Sequence, residues 1–202
     1  MLRRLSDIVV SAALLVVLSP LLLIVALLVR LESKGPALFN QIRVGLDGVP
    51  FTMHKFRTMS VETGSRPVTL GGRRDSRLTR LGAFLRDSKI DELPQLINVL
   101  EGEMTLIGPR AETPNFVEHF TTRQRGVLSV KPGLTGPGQI LYTTTQAAQL
   151  ESVDDPNRYY IEKILPEKLE WDLEYIRTRS LRNDLAIFGR TLLVVLTLGR
   201  RG

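Results

Sequence analysis

The stretch Arg86-Asp87-Ser88-Lys89-Ile90-Asp91-Glu92-Leu93-Pro94 alternates acids and bases directly ahead of an apolar, helically spaced run. Adjacent carboxylates such as Asp91 and Glu92 can divide labour. One attacks phosphorus to give an acyl-phosphate, while the other holds a hard divalent cation that neutralises a diphosphate. Magnesium suits that second role because it takes few protein oxygens and completes its shell with substrate phosphate. The same spacing also reads as helix-start grammar, acids in a first turn followed by proline, and on spacing alone capping is the preferred reading.

Cations stand near the ends of the expected elements, in Lys55-Phe56-Arg57, at Arg86 and in Gly108-Pro109-Arg110. Guanidinium grips phosphate with paired hydrogen bonds, although any one of these charges could simply be solvated. Arg73, Arg74, Arg77 and Arg80 read as a solvated or membrane-facing stripe. The turn from Gly133 through Gly136 to Gly138 could present backbone amides to an anion, but it lacks the Walker pattern. The only two histidines, His54 and His119, lie far apart and read as surface or packing residues, and the absence of cysteine excludes thiol nucleophiles and zinc-thiolate sites.

The elements that must position these groups follow from periodicity. Phe39 to Val44 and Val49 to Lys55, joined by Gly45-Leu46-Asp47-Gly48, read as a β-hairpin. Helices are expected over Asp75 to Leu85, Asp91 to Leu100, Pro114 to Val127, and Arg158 to Arg179 with a break near Pro166. Ser60 to Gly72 reads as a loop. The apolar tail Leu185 to Leu198, interrupted by Arg190, is short and charged for a span and reads as an interfacial or packing helix.

From Ile8 to Val29 no residue is charged, enough for a membrane helix, and no small-residue cleavage site follows it. Ser19-Pro20 interrupts the run, where proline deletes a backbone hydrogen bond and bends the helix. Basic residues flank both ends, Arg3 and Arg4 before, Arg30 and Lys34 after. The residues alone leave a kinked single span and a hairpin with both ends in the cytoplasm equally open. The boundary at Gly35-Pro36 divides a membrane element, residues 1–34, from the remaining domain, residues 35–202. A net charge of +6 favours anionic partners, and an aromatic content of 6% without a nucleic-acid signature turns that choice toward phosphate-rich substrates or lipid head groups.

Beyond these local readings, the string from Lys89 through Ile90-Asp91-Glu92-Leu93-Pro94-Gln95-Leu96-Ile97-Asn98-Val99-Leu100, continuing in Gly102 to Arg110, resembles the bacterial sugar transferases. The likeness is to their small monotopic phosphoglycosyl transferases. Gly35-Pro36-Ala37-Leu38-Phe39 leading to Gln41-Ile42-Arg43-Val44-Gly45, Lys55-Phe56-Arg57-Thr58-Met59, and Lys131-Pro132-Gly133-Leu134-Thr135-Gly136 extend it in the family's order over nearly the whole chain. The resemblance reverses the preference for capping. It implies Asp91 as nucleophile, Glu92 as magnesium ligand, Lys55, Arg86 and Arg110 as phosphate-handling cations, and Ser19-Pro20 as the break of a re-entrant membrane hairpin. Ala111 departs from the family's usual proline, and Pro137-Gly138 from its usual Trp-Ala.

The expectation is therefore an α+β, mainly helical protein: a re-entrant membrane hairpin carrying a catalytic domain with a small β-hairpin and interfacial amphipathic helices. Its implied reaction moves a sugar-1-phosphate from a UDP-sugar to polyprenol phosphate at the cytoplasmic face of the bacterial inner membrane. Membrane phospholipids are expected partners, a homodimer is a candidate assembly, and nucleic acid is not expected. Direct transfer in a ternary complex and a membrane-tethered adaptor that recruits acidic partners are the rival readings.

Overall fold

The structure, a computed structural model, describes residues 2–60 and 75–198. It is mainly helical, with an antiparallel pair of strands and a short parallel pair. Arg73 and Arg74, and most of the loop expected from Ser60 to Gly72, lie outside the described residues.

The apolar N-terminus forms one helix, α1 (Leu2–Glu32), with Pro20 inside it. Pro20 lacks the N–H that would bond the Val16 carbonyl four residues back, and the Ser19 hydroxyl donates to that carbonyl instead at 2.8 Å. Val16, Val17, Leu23 and Leu27 are exposed. Both ends of α1 engage the rest of the chain. Near its start, Arg4 donates to the Val99 and Leu100 carbonyls at the end of α3 (Gln95–Glu101). Asp7 accepts from the Thr105 hydroxyl at 2.7 Å and the Leu106 amide at 3.1 Å. Near its end, Val25 and Val29 pack on Phe56, Leu85 and Ile90, each buried valine contributing about 1.5–3 kcal/mol.

The expected hairpin is present as β1 (Leu38–Val44) and β2 (Pro50–Phe56), with Phe39 opposite Lys55 and Val44 opposite Pro50. Its connection turns at Asp47 and Gly48, both at positive φ, which glycine adopts freely and aspartate tolerates. Phe51, Met53 and Lys55 alternate onto one face of β2, the first two entering a core with Val99, Met104 and Ala111. Asn98 of α3 binds the other edge of β2, donating to Thr52 O and accepting from the His54 amide, so the two elements are locked together.

Several expected helices are shorter. Asp75 to Leu85 becomes a turn, a bridge between Met59 and Leu78, and α2 (Arg80–Asp87), whose N-cap Thr79 accepts from the Gly82 amide. The stretch Pro114 to Val127 splits into α4 (Pro114–Val117) and a 3-10 segment (Gln124–Ser129). A parallel pair not anticipated from the sequence, β3 (Thr105–Ile107) and β4 (Gly133–Thr135), brings together the chain before α4 and the chain after the 3-10 segment. After α5 (Pro137–Leu141) and α6 (Pro156–Tyr159), a π-helical turn (Tyr160–Ile164) precedes α7 (Leu165–Arg177). Pro166 cannot bond the Glu162 carbonyl, which accounts for the widened turn just before it. The tail is one helix, α8 (Leu181–Leu198), that buries Ile187 and exposes Leu185, Leu192, Leu193 and Leu196.

Candidate active site

Asp91 and Glu92 lie in a 3-10 turn (Ile90–Glu92) rather than in the first turn of α3. Lys89 enters that turn in the left-handed region (φ 61°), and Pro94 precedes α3 with no side-chain cap, so the acids do not cap the helix as spacing suggested. Ile90 anchors the turn in the cluster formed with Val25, Val29 and Leu85, which ties α1 to the residue next to Asp91.

Three elements deliver partners to Glu92. Lys55, at the end of the inner row of β2, donates to Oε1 at 3.1 Å. Arg110 donates to Oε1 at 2.8 Å and to Oε2 at 3.4 Å, and Gln139 of α5 donates to Oε2 at 3.2 Å. The parallel pairing explains why the last two converge. β3 runs into Gly108-Pro109-Arg110 and β4 into Gly136-Pro137-Gly138-Gln139, so both side chains leave the carboxyl ends of neighbouring strands, where parallel sheets ordinarily present their sites.

Glycine makes that pairing close. A Cβ on Gly133 would lie 2.1 Å from the Gly108 nitrogen, and one on Gly136 2.1 Å from the Gly108 oxygen. The Gly133 amide donates to the Pro109 carbonyl at 2.8 Å, so in this structure that amide serves the strand pairing. Gln139 was not singled out by sequence reading. Its position right after the glycine turn was the available signal.

The surroundings shift the two acids in opposite directions. Burial pushes both upward, but in Glu92 the charges of Arg110 and Lys55 and the Arg110 hydrogen bond outweigh it and hold the carboxyl well below its ordinary range. Asp91 is buried, its Oδ1 has no hydrogen-bond partner, and desolvation together with the neighbouring Glu92 charge raises it to about 6. Lys55, Lys89 and Arg86 oppose that rise. Desolvation lowers Lys55 to about 8 despite the pull of Glu92, with the Arg110 and Arg43 charges adding to the fall. Arg86 is held by its Nε donating to the Thr58 hydroxyl at 2.9 Å.

Other candidates sit elsewhere. Arg57 does not reach this cluster; its guanidinium donates to the Val29, Ser33 and Lys34 carbonyls and closes the end of α1. Arg77 pairs with Asp75, while Arg80 is exposed. His54 bonds Asn40, and His119 is exposed, in line with their reading as packing and surface residues.

The donor set fits magnesium in one way only. Among the described residues no three His, Asp or Glu side chains gather into a metal cage. Magnesium needs no such cage when one or two carboxylates share it with substrate phosphate. Oε2 of Glu92, whose contacts are the longer ones, is the oxygen suited to that arrangement.

The family model described as bacterial sugar transferase matches residues 1–198, and the chain belongs to that family. It is 39% identical over 200 residues to a UDP-glucose:undecaprenyl-phosphate glucose-1-phosphate transferase of Caulobacter vibrioides, covering 96% of this chain and 70% of that protein. A protein of the same name from Klebsiella pneumoniae is 38% identical over 193 residues, covering 94% of this chain but 39% of its own length. A UDP-N-acetylgalactosamine-undecaprenyl-phosphate N-acetylgalactosaminephosphotransferase of Aeromonas hydrophila is 35% identical over 198 residues, covering 96% and 44%. The chain therefore spans less than half the length of the latter two relatives.

Proposed function

We propose that this chain is a phosphoglycosyl transferase that moves a sugar-1-phosphate from a UDP-sugar to a polyprenol phosphate through a covalent phosphoaspartate. The observation that carries the reading is the contrast at the adjacent acids: Glu92 is locked among cations, while Asp91 is buried with an unpartnered oxygen beside them. A carboxylate stripped of hydrogen bonds is a better nucleophile than one that accepts several. The names of the relatives, which all pair an undecaprenyl phosphate with a nucleotide or hexose phosphate, support the substrate classes.

In the first step an Asp91 oxygen forms a bond to the sugar-bearing phosphorus and the bond to the bridging oxygen breaks, so UMP leaves with the electron pair. In the second, a polyprenol phosphate oxygen attacks the same phosphorus and the acyl-phosphate bond breaks, restoring the carboxylate. Arg110, Lys55 and Arg86 provide positive charge for the diphosphate, and Glu92 fixes the first two. Magnesium held by Glu92 would supply positive charge to offset that of the diphosphate. The sequence family leaves the sugar open, since the relatives' names divide between glucose and N-acetylgalactosamine.

The reading includes a re-entrant α1 with both ends on the cytoplasmic face. Its support is that Asp7 and Val29 contact the same folded domain. A single crossing would place them on opposite sides of a hydrocarbon core about 30 Å thick. An interfacial anchor also answers a physical need: an isoprenoid leaves the bilayer at great cost, and a nucleotide sugar cannot enter it.

The test is adduct trapping. Purified chain incubated with UDP-glucose or UDP-N-acetylgalactosamine radiolabelled at the β phosphate, without acceptor, should retain label on the protein and release UMP. Asp91→Asn should retain none. Adduct at the wild-type level in that variant removes Asp91 as nucleophile; UMP release that requires acceptor and never leaves label supports direct transfer; no UMP release with either acceptor or sugar supports the adaptor.

A further inference from the structure

Helix α7 buries two charged side chains one turn apart, Lys168 and Asp172, both essentially inaccessible. Lys168 ion-pairs with Glu112 and donates to the Tyr160 hydroxyl. Asp172 accepts the Gly138 amide at 3.0 Å through Oδ1, while its Oδ2 has no partner. The nearby Arg110 backbone favours the ionised form of Asp172. A Cβ on Gly138 would stand 2.7 Å from Oδ2, so the glycine turn is pressed directly onto the carboxylate. One helix thus grips Glu112, two residues after Arg110, and the turn that leads into Gln139.

Arg110 and Gln139 are two of the three groups that hold Glu92. We propose that Asp172 is a positioning residue: by binding the Gly138 amide it sets the reach of Gln139 to Glu92, without touching substrate. The proposal rests on the reading of Glu92 and its partners as the phosphate-handling centre.

Stability is a poor explanation for a carboxylate at this position. Burial raises Asp172 from 3.8 to about 7, against Lys168 and the Gly138 and Arg110 backbone groups that favour its charge, while Glu112 adds to the rise. With a folded value above the unfolded one, folding binds the proton more tightly, so stability attributable to this group falls as pH rises from about 4 to about 7. An amide of the same shape would avoid that loss. What asparagine lacks is the negative charge that strengthens the bond from the Gly138 amide.

The experiment compares wild-type full chain, Asp172→Asn and Asp172→Ala in detergent, by amide hydrogen exchange, thermal melting, and UMP release from UDP-glucose with undecaprenyl phosphate across pH. Exchange should accelerate about tenfold or more in the peptide containing Gly138 in the alanine variant, and less in the asparagine variant. The kcat should fall about tenfold to a hundredfold while KM for the UDP-sugar changes less than about threefold. Asp172→Asn should melt no lower than wild type at pH about 8, and its acid limb should move from about 7 toward the Asp91 value of about 6. Unchanged exchange at the Gly138 peptide, or a wild-type kcat and pH profile in Asp172→Asn, overturns the proposal. If Asp172→Ala does not fold, Asp172→Asn decides alone. Wild type that releases no UMP would defeat the functional reading, whereas the exchange measurement would still judge Asp172.

Discussion

Asp91 and Glu92 are neighbours in the chain, yet Arg110 and Lys55 hold Glu92 firmly ionised against burial, while burial pushes Asp91 up to about 6. The difference lies in their partners. Glu92 accepts from Lys55, Arg110 and Gln139, and its settled negative charge is itself one reason the Asp91 carboxylate is harder to ionise. One acid organises the cations while the other remains uncommitted.

Activity should follow a bell in pH. The attacking carboxyl must be ionised, so the rate falls below about 6 as Asp91 protonates, with Asp172 adding a loss that begins near 7. Above about 8, Lys55 sheds its proton and a phosphate-binding charge disappears. The kcat/KM for UDP-sugar, measured from pH 5 to 10 at fixed ionic strength, should peak between about 7 and about 8. A profile flat from pH 5 to 9 would remove Asp91 and Lys55 from the rate-limiting chemistry.

Glu92→Gln should weaken fold and chemistry together while moving the Asp91 titration. Removing the shared anion leaves Lys55 and Arg110 facing each other in a half-buried site, a loss of about 3–5 kcal/mol by analogy with broken buried pairs. Because the folded Glu92 value is depressed below 4.5, this stabilisation is present at neutral pH and disappears as pH falls through the folded value. Urea unfolding near pH 7.5 should therefore report the largest difference. In whatever activity remains, the acid limb should shift to lower pH, since the like charge raising Asp91 has been removed. An unmoved limb would contradict the coupling of the two acids.

The sequence exposed local signals well and long-range ones poorly. The hairpin carrying Lys55 followed from alternation around Gly45 to Gly48, whereas the bend expected at Ser19-Pro20 lies inside one uninterrupted helix. Asp91, Glu92, Lys55 and Arg110 were singled out beforehand, and the structure brings them together. The convergence of Arg110 and Gln139 was not legible, because it depends on the parallel pairing of two strands too short for a period of two to register. Asp172 was hidden for a related reason. In sequence it is one acid among several on an amphipathic helix, and only packing distinguishes it from the exposed Glu170 and Glu174. Local propensity likewise could not say that Asp91 and Glu92 occupy a tight turn instead of the helix that follows.

Gly82→Ala offers a test of how Arg86 is placed, because its sign runs against helix propensity. Alanine inside a helix is ordinarily favoured over glycine by about 1 kcal/mol. Here the added Cβ would stand 2.1 Å from the Thr58 carbonyl oxygen, a backbone atom that cannot rotate away. The helix α2 would have to withdraw from Thr58, whose hydroxyl accepts from Arg86. Calorimetry should therefore show destabilisation of about 1–3 kcal/mol. The KM for UDP-sugar should rise as Arg86 shifts. A higher melting temperature would mean that the close approach of α2 to Thr58 is absent in solution.

The topology of α1 can be read directly, because the chain has no cysteine and a single introduced thiol is unambiguous. Its 31 residues would extend about 46 Å if straight, ample for a crossing. Yet Arg4 and Asp7 at one end and Val25 and Val29 at the other hold the same domain, and Arg57 closes the second end. A crossing would sacrifice one set of these contacts, including a buried aspartate with two hydrogen bonds. Leu2→Cys and Lys34→Cys, both at exposed positions, should each resist a membrane-impermeant maleimide in intact spheroplasts and react after lysis. Pro20→Leu restores the backbone bond to Val16 and should straighten the helix, lowering activity in proportion to the fraction of Leu2→Cys that becomes labelled from outside. Labelling of Leu2→Cys in intact spheroplasts without the proline change would mean that α1 crosses once and that its contacts at Asp7 do not survive in the bilayer.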